Sequence, residues 1–368
     1  MADFLFITHT AWSEAPRIRH QLARLLVEHG HTVHFFERST PPFAPFDRTI
    51  RSAEPGISLV QSRRLLHHQL RLAEPLEFLN SAVVERSLRE ALREVPHDGG
   101  TTVVNFTHDY HFLRRIFPHN RIVTLIHDNF EAQARFGYAG HITRMLRRTV
   151  EMSDDVYAVS VPLCERLSRW KRAELLLPWA VVPYRAPHGD IARRNTIFYW
   201  GFVDTALDPD AILLASRRLE ATRPGWKVAL IGPTQSNRRE TVTRPFAGRP
   251  NIEIRGQTAL DELPLDESLA AFLPYRRSPS CDSVTLANKS LQLLARGMPL
   301  VINAMPHYLE RPFIRRIDGV QPFDAVIDEV VARFAEWQEP IARFVAENSG
   351  ESRLAQMKIA SARADARR

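Results

Sequence analysis

The sequence predicts an α/β protein with two successive parallel-sheet domains. Three observations predict it. Short apolar runs alternate with amphipathic stretches along most of the chain. The alternation breaks once, between Trp179 and Asn195, where Pro183, Pro187, Gly189 and a polar cluster read as a linker. A length of 368 residues exceeds one typical core and suits two domains of roughly 170 residues each.

In chain order, Phe4–Thr8 is a strand, and Pro16–His29 carries helical spacing through Ile18, Leu22, Leu25 and Leu26 before Gly30 stops it. Thr32–Phe36 is the next strand, which completes a βαβ unit. The proline-rich 40–60 stretch reads as loop, and Leu65–Arg93 as a long helix kinked or divided at Pro75. Strands follow at 102–106, 121–126 and 155–159, with helices at 110–117, 138–153 and 162–173. After the linker, strands are expected at 196–200, 227–231, 252–254, 270–273 and 300–302. Helices are expected at 209–223, 265–269 and 286–296, with a closing helix over 326–344. The boundaries are then 1–185 for the first domain, 186–195 for the linker, 196–345 for the second domain and 346–368 for a basic tail expected to fray. Two such domains are expected to face each other across a cleft, with strand carboxyl ends on both sides.

Composition narrows the function. Hydrophobic residues make up 44% and charged residues 25% of the chain, as in ordinary globular proteins. No run of about 18 apolar residues occurs, and the N-terminus has no basic region or cleavage site, so a cytoplasmic protein is expected. Cys164 and Cys281 are far apart and read as free thiols. The net charge of +7 points to anionic partners. Paired arginines spread along the chain, without a zinc-finger or aromatic-basic signature, argue against nucleic acid.

The turn after the first strand, Thr8-His-Thr-Ala-Trp-Ser13, holds no glycine, so a GxGxxG dinucleotide fingerprint is absent; so are the P-loop, the GxSxG elbow and the HExxH helix. What stands out is Leu273-Pro-Tyr275, a polar loop, Ala287-Asn-Lys-Ser-Leu-Gln292, and Gly297-Met-Pro-Leu-Val301. That order builds a strand end, a loop, a helix start with a lysine, and a second strand. It is a cradle for an anion at a helix N-terminus.

Asn288-Lys289-x-x-Gln292 followed by Gly297-x-Pro299 resembles the donor-site helix of GT-B glycosyltransferases. Tyr199-Trp-Gly-Phe202 with Asp208-Pro209, and Leu230-Ile-Gly-Pro233, resemble the opening strands of that family's second domain. Val123–Asn129 and Val156–Pro162 resemble first-domain strands, the former carrying an acceptor-side aspartate. The resemblance runs from residue 1 to about 345. It implies two Rossmann-like domains and transfer of a sugar from a nucleotide-diphosphate donor, expected to be a UDP-sugar, to an acceptor hydroxyl. The common retaining pattern E-x7-E is replaced by Val284 and Gln292, and the Lys/Gln spacing looks closer to bacterial inverting glucuronosyltransferases of exopolysaccharide assembly.

On the donor side, Lys289 is either a diphosphate ligand or a surface lysine, and Arg276 and Arg277 either take phosphate or a sugar carboxylate or are solvated. Gly201, Phe202, Tyr275, Ser283 and Asn288 complete the donor set; the amide of Gln292 can hydrogen-bond ribose hydroxyls. The hydroxyls of Ser278, Ser280 and Thr285 serve as donors or as turn formers. Asp128 is the expected base, or else a cap of the next turn. His127 is a base, a phosphate contact or a core histidine. His9, Ser13 and Arg17 are acceptor-side residues. No cofactor and no metal are expected, because no carboxylate pair sits in the donor cradle. The expected acceptor is a lipid-linked or polysaccharide precursor, met at the inner membrane face through peripheral contact with anionic lipid. The rival readings are a small-molecule glycosyltransferase, a nucleotide-sugar epimerase of the same fold, and a non-catalytic nucleotide-sugar-binding protein.

Overall fold

The computed structural model describes residues 3–41, 43–47, 49–65, 74–133, 139–234, 239–317 and 322–361. The chain divides into two compact units, Met1–Leu177 with Leu354–Arg368, and Pro178–Arg353. The break therefore falls ahead of the 186–195 segment expected as a linker, which lies wholly in the second unit. Residues from Leu354 on belong with the first unit.

In the first unit the elements are β1 (Asp3–Ile7), α1 (Ile18–Glu28), β2 (Thr32–Phe36), β3 (Arg51–Glu54), β4 (Ile57–Val60), α2 (Glu74–Ala91), β5 (Thr102–Asn105), α3 (Leu113–Ile116), β6 (Ile122–Ile126), α4 (Ala139–Met152), β7 (Asp155–Ala158), α5 (Val161–Ser168) and β8 (Glu174–Leu175). The sheet order is β3-β4-β2-β1-β5-β6-β7-β8, parallel except for β3. The 40–60 stretch thus holds a hairpin where a loop was expected. Its outer strand, Arg-Ser-Ala-Glu, is polar and half exposed, as befits an edge strand, and so gave no apolar signal. Gly56 makes the turn at φ +79°. Pro75 is the second described residue of α2; the preceding residues 66–73 of the expected helix, on which a kink or division at Pro75 depends, lie outside the described set.

In the second unit the elements are β9 (Thr196–Trp200), α6 (Pro209–Thr222), β10 (Lys227–Ile231), α7 (Arg239–Thr243), β11 (Ile252–Arg255), β12 (Ser268–Pro274), α8 (Pro279–Asp282), α9 (Asn288–Leu294), β13 (Leu300–Asn303), β14 (Ile314–Arg316), α10 (Phe323–Arg333), α11 (Gln338–Glu347) and α12 (Gly350–Gln356), the last straddling the boundary. The order β11-β10-β9-β12-β13-β14, parallel throughout, is the doubly wound 3-2-1-4-5-6 arrangement. Asp208 starts α6 by accepting from the N–H groups of Asp210 and Ala211, with Pro209 at its first position. β12 is buried at every residue and reads as one apolar run, as a central parallel strand should. The helix expected at 265–269 is absent, since those residues lead into β12. The expected closing helix is two helices, α10 and α11; of the tail expected to fray, Gly350–Gln356 forms α12, and residues 362–368 lie outside the described set. Leu354, Met357 and Ile359 are buried in the first unit, where the Arg121 guanidinium donates to Met357 O at 2.8 Å and His31 Nε2 lies 2.8 Å from Ala360 O. Among the described residues, no helix is long and apolar enough to cross a membrane.

Candidate functional site

Parallel α/β sheets place ligands at strand carboxyl ends, beside the point where strand order reverses. In the second unit that point lies between β9 and β12. β9 pairs with β10 in a register that sets Trp200 opposite Ile231, so each strand is followed at the same level by a glycine, Gly201 and Gly232. Both glycines are required. Gly201 has φ +141° and a Cβ there would lie 2.2 Å from Lys289 Nζ; Gly232 has φ +151° and its Cβ would lie 1.8 Å from Gly201 O.

Gly232 lets the Gly201 backbone approach, and the space at Gly201 is occupied by Lys289. Its Nζ donates to the Tyr199 hydroxyl at 2.8 Å and lies 4.1 Å from the Tyr199 ring centre and 5.3 Å from that of Tyr275. Tyr199 donates in turn to Phe202 O at 3.0 Å, and its hydroxyl is 3.4 Å from that of Tyr275. Burial pushes the Lys289 ammonium down to about 7, with Asp204 pulling weakly the other way. Burial also raises both tyrosines, so they stay neutral. A part-buried ammonium held by one hydroxyl and two ring faces, with no carboxylate paired to it among the described residues, is a cation prepared for an anion.

The remaining donor-side candidates are placed unevenly. Tyr275 is locked beside the cradle, its carbonyl accepting from the Asn303 amide at 3.0 Å. Arg276 and Arg277 are exposed, and Arg277 pairs with Asp282 at 2.9 Å. Ser283 donates to Ser280 O at 2.8 Å, and the Ser278 hydroxyl accepts from Cys281 N; Thr285 is buried. Phe202 is half exposed. Asn288 opens α9 behind Ala287, which offers no side-chain cap, and its Oδ1 is buried without a partner. Gln292 is committed elsewhere: Nε2 donates to Trp179 O at 3.0 Å and Oε1 accepts from Val181 N at 3.1 Å. The ribose contact expected of it is taken by backbone. Gln292→Ala is therefore expected to destabilise by about 1–3 kcal/mol, since the buried Trp179 carbonyl and the part-buried Val181 N–H lose their partner, and to leave nucleotide affinity unchanged; urea unfolding beside nucleotide titration checks both.

In the first unit the strand order reverses between β1 and β5, and the loops after β1, β5 and β6 hold the titratable groups. His9, after β1, sets Nε2 at 2.8 Å from Asp109 Oδ1, after β5; Asp109 is 1% exposed. Asp109 was not foreseen, because 100 residues separate it from His9 and nothing local marks it. His9, His108 and Asp109 also bring ligand-type atoms within 4.8 Å of one another, the one group of that kind among the described residues. His127 Nε2 accepts from Arg19 Nη1 at 2.8 Å, and burial with Arg19 and Arg17 nearby drives its pKa well below the ordinary histidine value. It is neutral, with its Nε2 lone pair engaged. Asp128 accepts from Asn129 N at 2.8 Å, and burial raises its pKa. Ser13 and Arg17 are exposed, Arg17 pairing with Glu14 at 3.3 Å.

No family model matches the chain, and no curated protein does. Solved structures do. Sucrose-phosphate synthase from Thermosynechococcus elongatus is 16% identical over 97% of this chain and 98% of its own, with a TM-score of 0.67. WaaG, a glycosyltransferase involved in lipopolysaccharide biosynthesis, is 14% identical over 96% and 99%, with a TM-score of 0.62. Anabaena HepE, solved in complex with UDP, is 9% identical over 97% and 98%, with a TM-score of 0.65. The chain thus has the fold of GT-B glycosyltransferases, as two Rossmann-like parallel α/β units.

Proposed function

We propose that the chain is a nucleotide-sugar-dependent glycosyltransferase whose second unit holds the donor and whose first unit supplies the base. The observation that carries this reading is the Lys289 cradle, a part-buried cation at the strand-order reversal with Gly201 clearing the space for its ammonium. In the reaction, the acceptor hydroxyl attacks the anomeric carbon while the bond to the diphosphate oxygen breaks. The proton passes to the His9 imidazole, Asp109 stabilises the imidazolium, and Lys289 stabilises the charge on the departing nucleoside diphosphate. This chemistry inverts the anomeric centre and has the lysine supply the electrostatics that a divalent cation otherwise would. Asp128 gives a second reading of the base, favoured by the burial that raises its pKa. The proposed donor is a UDP-sugar, hexosyl or glycuronosyl.

The proposed acceptor is a lipid-linked or polysaccharide precursor. The positive net charge and the exposed Phe43, Phe78 and Leu79 of the first unit support a peripheral encounter with anionic lipid at the inner membrane face. Full recovery of the protein in the supernatant after sedimentation with phosphatidylglycerol vesicles would remove that part.

A thermal-shift panel of UDP, GDP, dTDP and their sugars tests the donor class, because a ligand at about 100 times its dissociation constant adds roughly 2.7 kcal/mol to a native state it alone binds. UDP and a UDP-sugar are expected to stabilise; no response to any nucleotide would sink the reading. Donor turnover without acceptor would point to an epimerase.

Lys289 also sets a pH dependence. Its charged form predominates below about pH 7, so affinity for a UDP-sugar, whose phosphates do not titrate there, is expected to fall as pH rises from 6 to 9. Stability of the unliganded protein moves the other way. The native state holds fewer protons than the unfolded chain between about pH 7 and the ordinary lysine value, so this lysine makes stability rise across that window. Titration calorimetry at three pH values reads the first trend, and a flat profile would contradict it.

A further inference from the structure

We infer that the first unit carries an oxyanion site, built on Arg19, for a phosphate or diphosphate group of the acceptor. This deepens the glycosyltransferase reading and rests on it. Arg19 lies in the first turn of α1 and is 3% exposed. Its Nη1 donates to the neutral imidazole of His127, while its Nε is buried with no acceptor. Among the described residues no carboxylate pairs with it. Glu14, the nearest acid on its own loop, is shared by Arg17 and Arg38. Asp128, in the loop after β6, accepts from Asn129 N and acts on Arg19 through its charge without pairing with it, while burial raises its pKa.

A buried guanidinium bonded only to a neutral ring is costly unless an anion completes it. The surroundings favour that anion. Arg17 and Arg38 lie nearby with Glu14 as their shared counter-charge, which leaves a net positive charge around Arg19, and the first turn of α1 contains no acidic residue. Through His127 the guanidinium is held at the carboxyl end of β6, in the same unit as the His9–Asp109 pair. A planar guanidinium takes two oxygens of a phosphate at once.

The test keeps the two nucleotide questions apart by saturating the protein with UDP and then titrating inorganic pyrophosphate, geranyl diphosphate and glucose 1-phosphate. Wild-type protein is expected to bind at least one of them at a single additional site and to melt at a higher temperature in its presence. Preference for geranyl diphosphate identifies a lipid-linked acceptor and preference for glucose 1-phosphate a soluble sugar phosphate; both support the site. Arg19→Gln is expected to weaken this binding at least tenfold, to leave UDP affinity unchanged and to raise the melting temperature of the anion-free protein, which loss of a merely structural arginine would lower. Should Arg19→Gln not fold, wild-type crystals soaked in tungstate are expected to show an anomalous peak at the Arg19 guanidinium. UDP-saturated protein that binds none of the three anions, an anion response that survives Arg19→Gln, or a tungstate peak elsewhere would overturn the inference. Failure to bind UDP at all would instead overturn the donor reading.

Discussion

Replacing Lys289 with methionine is expected to raise the dissociation constant for UDP by about 100-fold, through loss of a desolvated charge-assisted contact of roughly 3 kcal/mol. The variant should fold normally, and its unliganded form should be at least as stable as the parent. Methionine has nearly the volume of the lysine stem and lies well against the faces of Tyr199 and Tyr275, and the cost of burying the ammonium disappears. This pairing of weaker binding with unreduced stability separates a functional lysine from a structural one, in which both would fall together. Titration calorimetry and thermal unfolding on the same preparation read the two quantities.

The second large effect concerns the base. With Asp109 changed to asparagine, the His9 imidazole loses the carboxylate that orients it and stabilises its protonated form. The turnover number is expected to fall by about 10³–10⁴-fold with donor affinity intact, the behaviour of a histidine deprived of its orienting carboxylate. Asp128→Asn should then cost far less, since the asparagine side chain can still accept the Asn129 N–H. If instead Asp128→Asn abolishes turnover and Asp109→Asn keeps it, the base is Asp128 and the reading drawn from the sequence alone was the better one. Steady-state kinetics with each variant, once a donor is known from the thermal-shift panel, decides between them.

Much of this was legible in the sequence for physical reasons. Central parallel strands are buried on both faces, so they appear as nearly continuous apolar runs such as Ile122–Ile126, interrupted only by Thr124, and Leu269–Pro274. Lys289 was legible because a lysine at a helix start, between an apolar strand and a glycine stop, demands a reason. Edge elements were not: Arg51–Glu54 and Glu174–Leu175 bury little and carry no apolar signature. Nor were pairings across long sequence distances, and Asp109 therefore passed unnoticed while its partner His9 was named. Arg19 illustrates a signal that was present and missed. It stands three and seven residues before Leu22 and Leu26, on the apolar face of α1, where a charged residue is out of place; Arg17, in the preceding loop, drew attention instead and proved exposed. Gln292 shows the converse, a polar residue among buried leucines whose hydrogen bonds go to backbone near the start of the second unit and not to solvent.

The central claim is that the diphosphate of a sugar nucleotide rests on Lys289, beside Gly201 and Gly232. A crystal structure of the protein with UDP tests it most directly. Phosphate density within hydrogen-bonding distance of Lys289 Nζ, with Tyr199 and Tyr275 still flanking the ammonium, is the predicted result. Nucleotide bound elsewhere, while Lys289 keeps its tyrosine contacts and nothing else, would contradict it.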